Sequence, residues 1–181
     1  MKKTTFPAFL STAIVAYIFW LLVTGHIVLL VEGHASVQVL IAGVFVAAAV
    51  GLFAARFFVH ESAFYLWNPK HLFPGIFYCL IRFPWELLKA NWDVAKRALS
   101  PKCPVNPGIV KIRTDLKSDY GIFALTSSIT LTPGTITMEC TEEDGENYLY
   151  IHWIDVGSTD VEEASDMIKG GMEKWLRRIW K

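Results

Sequence analysis

Four side chains in the last third of the chain are of the types that bind metal: Glu139, Cys140, His152 and Asp155. Paired strands would bring such groups within reach of one another, and Zn2+ accepts all of these donors. The simpler reading places His152 on one face of a hairpin with Tyr148 and Tyr150, and Asp155 at the start of a turn. That reading is preferred, so no metal is assigned. His26 and Glu32 have the types of a proton relay, since imidazole titrates near neutral pH wherever water reaches it. Their position at the end of an apolar run makes a solvated boundary the simpler role. Ser127 and Ser128 lack the flanking glycines of a nucleophile elbow, and the glycines form neither a dinucleotide nor a phosphate-loop pattern. Cys79, Cys103 and Cys140 are odd in number and far apart, without a Cys-x-x-Cys pair, and read as free thiols. No catalytic residue and no cofactor are assigned.

The elements that would carry these residues are dominated by apolar runs. Hydrophobic residues make up 53% of the chain, and its mean hydropathy is +0.37, which points to a membrane protein. Lys and Arg number 17 against 17 Asp and Glu, so no basic footprint for nucleic acid is present. From Phe6 to Val31 there is no charged side chain, a run longer than the ~20 residues that cross about 30 Å of hydrocarbon. A second apolar run from Val37 to Val59 follows, which a cleaved signal peptide would not have. Two transmembrane helices are expected, at about 7–31 and 37–59, within residues 1–67. The intervening Glu32-Gly33-His34-Ala35-Ser36 has no Lys or Arg, whereas Lys2, Lys3, Arg56, Lys70 and Arg82 lie on the other side. Both termini are therefore expected in the cytoplasm. Arg56 is read as snorkelling to the headgroups. Ala42, Gly43, Ala47, Ala48, Gly51, Ala54 and Ala55 would let the second helix approach another closely. Neither span carries an acid or lysine well inside, so the chain is not read as a transporter by itself.

Residues 68–100 form the next section. Asn68 to Gly75 is punctuated by Pro69 and Pro74, and the apolar stretch after it is too short to cross a membrane. From Ile81 to Leu99 the apolar residues Ile81, Trp85, Leu88, Trp92, Ala95 and Leu99 alternate in steps of four and three, one face of a helix. Lys89, Lys96 and Arg97 occupy other positions, with Arg82, Glu86 and Asp93. Such a helix suits the inner membrane interface, and equally a partner helix.

Ser100 to Gly108, with three prolines, marks a linker into a domain at 101–181. Its expected order is β-α-β-β-α: a strand at Ile109–Arg113, a helix at Tyr120–Ser128, a hairpin of Thr135–Cys140 and Tyr148–Ile154 closing at Asp144-Gly145, and a last helix. Thr159 with Glu162 reads as that helix's cap, and Val161, Ala164, Ile168, Trp175 and Ile179 as its inner face. Gly170-Gly171 costs about 1 kcal/mol per residue relative to alanine, so a bend or a close approach is expected there. A domain of this size is marginal alone and is expected to lean on the amphipathic helix or on neighbours. The fold class is thus a membrane α-helical hairpin with an amphipathic interfacial helix, followed by a small α+β cytoplasmic domain.

One further run joins hydroxyls to a Pro-Gly break: Ser128-Ile129-Thr130-Leu131-Thr132-Pro133-Gly134-Thr135. Its hydroxyls can bond to backbone as a helix ends, and Pro133 forbids continuation. A shaped helix-to-strand corner is expected, or a docking surface for a partner protein. The run and its setting resemble the family of small E subunits of multisubunit Mrp-type Na+/H+ antiporters, specifically over Tyr120 to Asp155 and in layout before that. The resemblance implies an accessory, non-catalytic subunit in the cell membrane that supports cation/proton antiport, with large antiporter-like subunits and small membrane subunits as partners beside the bilayer. Related subunits occur in membrane-bound hydrogenases and similar respiratory complexes, a second expectation. A free-standing membrane-anchored binding module is a third.

Overall fold

The computed structural model describes residues 6–31, 33–59 and 68–180, which fall into two compact units divided after Asn68. Lys2, Lys3 and Glu32, invoked above, lie outside the described residues.

In the first unit α1 spans Phe6–Val23, α2 His26–Val31 and α3 Val37–Phe58. At 1.5 Å per residue α1 is about 27 Å long and α3 about 33 Å, each near the thickness of hydrocarbon. The first apolar run is therefore not one helix. It breaks at Thr24-Gly25, where Gly25 takes φ 70°, a conformation glycine reaches without a Cβ clash. Trp20 O accepts both the Thr24 N–H at 3.0 Å and the Thr24 hydroxyl at 2.8 Å, so Thr24 closes the end of α1 twice.

α1 and α3 pack by inversion of the soluble pattern. Gly43, Ala47, Gly51 and Ala55, four apart, are all buried, while Phe45 and Phe53 face outward. A Cβ on Gly51 would sit 3.0 Å from the Ala13 backbone, so the helices touch nearly backbone to backbone. Three side chains then bond across: Thr12 Oγ1 to Gly51 O at 3.0 Å, Trp20 Nε1 to Val39 O at 3.1 Å and Tyr17 OH to Leu40 O at 3.4 Å. Of the small residues that the sequence offers to a partner, these four are covered by the chain's own first helix, while Ala42 stays exposed and Ala48 and Ala54 are half-buried.

The second unit begins with an unbroken helical rod: α4 (Pro69–Phe77), a π turn (Tyr78–Arg82) and α5 (Phe83–Leu99). Pro84 has no N–H to give, and Phe83 N–H donates five residues back to Tyr78 O. The extra residue rotates what precedes it relative to α5. After the linker come β1 (Gly108–Thr114), α6 (Asp119–Leu131), β2 (Thr135–Glu143), β3 (Glu146–Trp153), α7 (Val161–Lys169) and α8 (Met172–Ile179). The sheet is antiparallel in the order β1-β3-β2. Asp144 and Gly145, with φ 52° and 78°, make the two-residue hairpin turn whose twist suits the strands. A bulge between Thr137 and Glu139 shifts the register of β2.

The terminal segment differs from expectation in two ways. Gly170, at φ 48°, ends α7, so the expected single helix is two. The phase of the apolar face changes across this break, and Met172, Leu176 and Ile179 are buried while Trp175 is only half-buried. The cap is Asp160 rather than Thr159, its carboxylate accepting from Glu162 N and Glu163 N at 3.0 Å each. The core gathers Val110, Ile112, Leu125, Ile129, Leu149, Ile151 and Leu176 on one sheet face, with Tyr78 of the rod among them.

Candidate functional site

The hydroxyl-rich run is the corner between α6 and β2, and every hydroxyl in it is used. Ser128 Oγ donates to Ala124 O at 2.7 Å. Thr132 Oγ1 and Thr135 Oγ1 each donate to Ile129 O at 2.7 Å, and they stand 3.1 Å from one another. Thr130 Oγ1 accepts from Thr137 N at 3.2 Å, beside the bulge. Ile129 O has lost its helical donor to Pro133, which has no N–H, and it accepts instead from Thr132 N and from both threonine hydroxyls. Pro133 then stops the helix, and Gly134 reverses the chain at φ 93°. A Cβ there would lie 2.9 Å from Ile154 Cγ2 and 3.5 Å from Val94 Cγ2, so only glycine fits between β3's end and α5.

This corner is a seat for the rod. Tyr78, turned inward by the π turn, donates its hydroxyl to Ser128 Oγ at 2.7 Å and is 5% exposed. Burial pushes its phenol above the ordinary range, against the bond to Ser128. Phe77 stacks on Trp175 of α8 at 4.7 Å. Arg82 reaches α8's start, where a Cβ on Gly171 would collide with its guanidinium, and pairs with Glu86 at 2.5 Å. At the far end Arg97 bonds Asp93 at 2.8 Å, Asp155 at 2.7 Å and Pro104 O at 3.0 Å. Hydrogen bonding to Asp93 raises its pKa first, and Asp155 adds to this.

The rod therefore meets its own domain with a side that is aromatic at Phe77, Tyr78 and Phe83 and charged at Arg97. Its other side is bare: Phe73, Leu80, Trp85, Leu88, Trp92 and Leu99 are all exposed, Leu99 by 85%. Trp85, Leu88 and Trp92, expected to mark an interface, lie on that face, with Lys96 Nζ 5.5 Å from the Trp92 ring and Lys89 at its margin, paired with Glu86 at 2.6 Å. Arg97 does not join them, being turned to Asp155. The stripe also begins earlier than Ile81, a continuation hidden by the π turn, which adds one residue to the spacing.

The metal grouping does not form as a set. Glu139 lies opposite Tyr150 and Cys140 opposite Leu149, while His152 sits between Ile109 and Ile136, and Asp155 belongs to Arg97. Among the described residues no three His, Cys, Asp or Glu could hold a metal ion together. A residue that sequence reasoning passed over is Glu173. It is 8% exposed; its carboxylate accepts from Thr114 Oγ1 and Asp115 N at 2.6 Å each and pairs with Lys169 at 2.6 Å. Burial opposes its charge, yet Lys169 and Thr114 outweigh it and hold the carboxyl below its usual range. Lys169 also donates to Arg113 O at 2.6 Å, and Ser165 Oγ accepts from Arg113 N at 2.9 Å, so α7 closes the free edge of β1.

Two apolar helices long enough to cross a membrane and a small α+β domain fastened to an apolar-faced helix fit the class of membrane-anchored proteins. Comparison with known proteins agrees. A family model described as Na+/H+ ion antiporter subunit matches residues 13–179. The chain is 40% identical over 127 residues to the E-type Na(+)/H(+) antiporter subunit of Bacillus subtilis, covering 70% of this chain and 74% of that one. It is 39% identical over 119 residues to the E1-type subunit of the Staphylococcus haemolyticus antiporter, covering 61% and 72%. A chain in the structure of the membrane-bound sulfane sulfur reductase, an archaeal respiratory membrane complex, superposes with TM-score 0.76 at 41% identity, covering 96% of this chain and 99% of that one. The chain belongs to the Na+/H+ ion antiporter subunit family, among its E-type members.

Proposed function

We propose that this chain is an accessory, non-catalytic subunit of a multisubunit Na+/H+ antiporter, supporting assembly of the complex whose larger subunits exchange monovalent cations for protons. The observation that carries this is the division of labour along the rod. One side is fastened to the domain by Tyr78 and Arg97, and its Trp and Leu side is left outward. A side chain that did chemistry would be converged upon by others, whereas these surfaces diverge.

The two spans anchor the chain in the cell membrane. The absence of Lys and Arg between them, against Lys2, Lys3, Arg56 and Lys70 on the other side, orients both termini to the cytoplasm. The rod, residues 68–100, runs along the inner membrane interface, and the domain, 101–181, clamps the cytoplasmic face of the complex.

Deleting Lys102–Lys181 removes the clamp while leaving both spans. Native electrophoresis of solubilised membranes should then show loss of the assembled complex, and an intact complex at wild-type abundance would overturn the proposal.

A second reading is favoured by one observation, the 41% identity and near-complete overlap with a chain of an archaeal respiratory complex. There the same protein would serve an antiporter module coupled to redox chemistry. The two readings share this chain's role and differ in its neighbours.

A further inference from the structure

The rod is set apart from the rest of the chain by its charge. Residues 69–102 hold six Lys or Arg against two acids, four net positive charges, whereas residues 103–181 hold thirteen acids against eight Lys or Arg, five net negative. Both acids of the rod are already paired within it, Glu86 with Arg82 and Lys89, and Asp93 with Arg97. At 100° per residue, Lys89 and Lys96 fall about 20–40° from Trp85, on the border of the bare apolar stripe. Lys102 is exposed just past its end. The structure thus joins an exposed Trp-Leu face to a basic margin, and a net acidic domain lies behind them.

Resting on the membrane reading above, we propose that the rod binds a bilayer surface through anionic lipid headgroups, with its stripe sunk to the acyl boundary and its lysines among the phosphates. A protein helix would cover the stripe but gives no reason for the basic border or for the opposite charge of the domain. An anionic surface accounts for both, because its field draws the rod in and drives the domain outward. Reach permits it: residues 59–68 separate the end of α3 from the start of α4, and ten residues extend at most about 35 Å. The fastening of Tyr78 to Ser128 and Arg97 to Asp155 then decides which side of the domain looks at the membrane.

The test uses the full chain alone in vesicles, with Cys79, Cys103 and Cys140 changed to Ser and one nitroxide label at Leu88→Cys or at Lys174→Cys. Vesicles contain phosphatidylcholine alone or with about one third phosphatidylglycerol. In the anionic vesicles the label at 88 should be reached by oxygen and shielded from a water-soluble nickel chelate, and the label at 174 should show the reverse. Adding Lys89→Gln, Lys96→Gln and Lys102→Gln should return the label at 88 to water, by roughly five-fold in occupancy for each lysine removed. Equal shielding at 88 in neutral vesicles and in the glutamine variant would overturn headgroup recognition. A label open to water throughout, or shielded from both reagents as under a second copy of the chain, would overturn the lipid surface itself. Because no other subunit is present, none of these outcomes depends on whether the chain assembles into an antiporter.

Discussion

The hydroxyl of Tyr78 donates to Ser128 Oγ at 2.7 Å across fifty residues of sequence, joining the π turn of the rod to the first residue of the signature corner. The bond explains two oddities together. The π turn exists where Tyr78 must face inward while Leu80 and Ile81 face out, and Ser128 stands in a buried position that an apolar residue would otherwise fill. The Ser128 end of the corner is taken by the chain's own helix, while Thr130 and Leu131 stay exposed.

The pair should be coupled energetically. Ser128→Ala leaves the buried phenol unsatisfied and should lower domain stability by about 1–3 kcal/mol, whereas Tyr78→Phe removes only a bond worth about 1 kcal/mol. Denaturant unfolding of both singles and the double should show the double to be less destabilised than their sum. Strict additivity would show that the bond is not formed. The folded pKa of Tyr78 is raised, so its ionisation is opposed by the fold. Above the ordinary tyrosine range the unfolded chain ionises first, and stability falls as pH climbs toward the folded value. The gap in stability between wild type and Tyr78→Phe should be constant below that range and change with pH only there.

Gly134 and Gly171 should respond differently to a methyl group. Gly134→Ala places Cβ in left-handed backbone and against Ile154 and Val94, and should lose about 1–3 kcal/mol. Gly171→Ala meets only the end of the Arg82 side chain, which can swing away. Thermal unfolding should therefore rank Gly134→Ala clearly below Gly171→Ala, and the opposite order would mean the corner is not the tight point.

Glu173 is the buried one of the domain's carboxylates held below their usual range. Its folded pKa is lowered, so its stabilisation is present above the unfolded value of about 4.3 and disappears as pH falls through the folded one. Glu173→Gln should cost on the order of 2 kcal/mol at neutral pH through the lost charged bonds. Chemical unfolding repeated across pH 7 to 3 should show the two proteins converging at the acid end, and a constant gap would place the effect in packing instead.

Between α1 and α3, Gly51 faces the Ala13 backbone while Gly43 faces the rings of Trp20 and Tyr17. Backbone cannot yield and a ring can turn. Gly51→Leu should separate the hairpin and lower its melting temperature in detergent more than Gly43→Leu does. Equal losses would indicate that the helices do not meet at Gly51.

Much of this was legible in the chain because periodicity survives wherever one face is buried. The two apolar runs, the strand at Ile109–Arg113, the Asp144-Gly145 turn and the stripe from Trp85 to Leu99 all follow from it. Three features were not. The break at Thr24-Gly25 lies inside an uncharged run where hydropathy carries no information on backbone conformation. The π turn adds one residue, so the link from Phe73 through Leu80 to Trp85 falls out of helical phase and reads as separate pieces. Gly170 was visible as a weak point, but its positive φ, which splits the last helix, is a backbone choice that apolar spacing does not encode. For the signature run the hydroxyl bonding to backbone was readable from residue type, and its tie to Tyr78 was not, since nothing local pairs residues fifty apart.

The central proposal, that this chain works within an antiporter complex, is tested most directly by purifying the tagged chain from its native membrane in mild detergent and identifying what accompanies it. Large antiporter-like subunits in fixed proportion to the chain are the expected result, with iron-sulfur or nickel proteins marking the redox-coupled variant. A chain recovered folded and alone, from membranes in which those subunits are present, would contradict it.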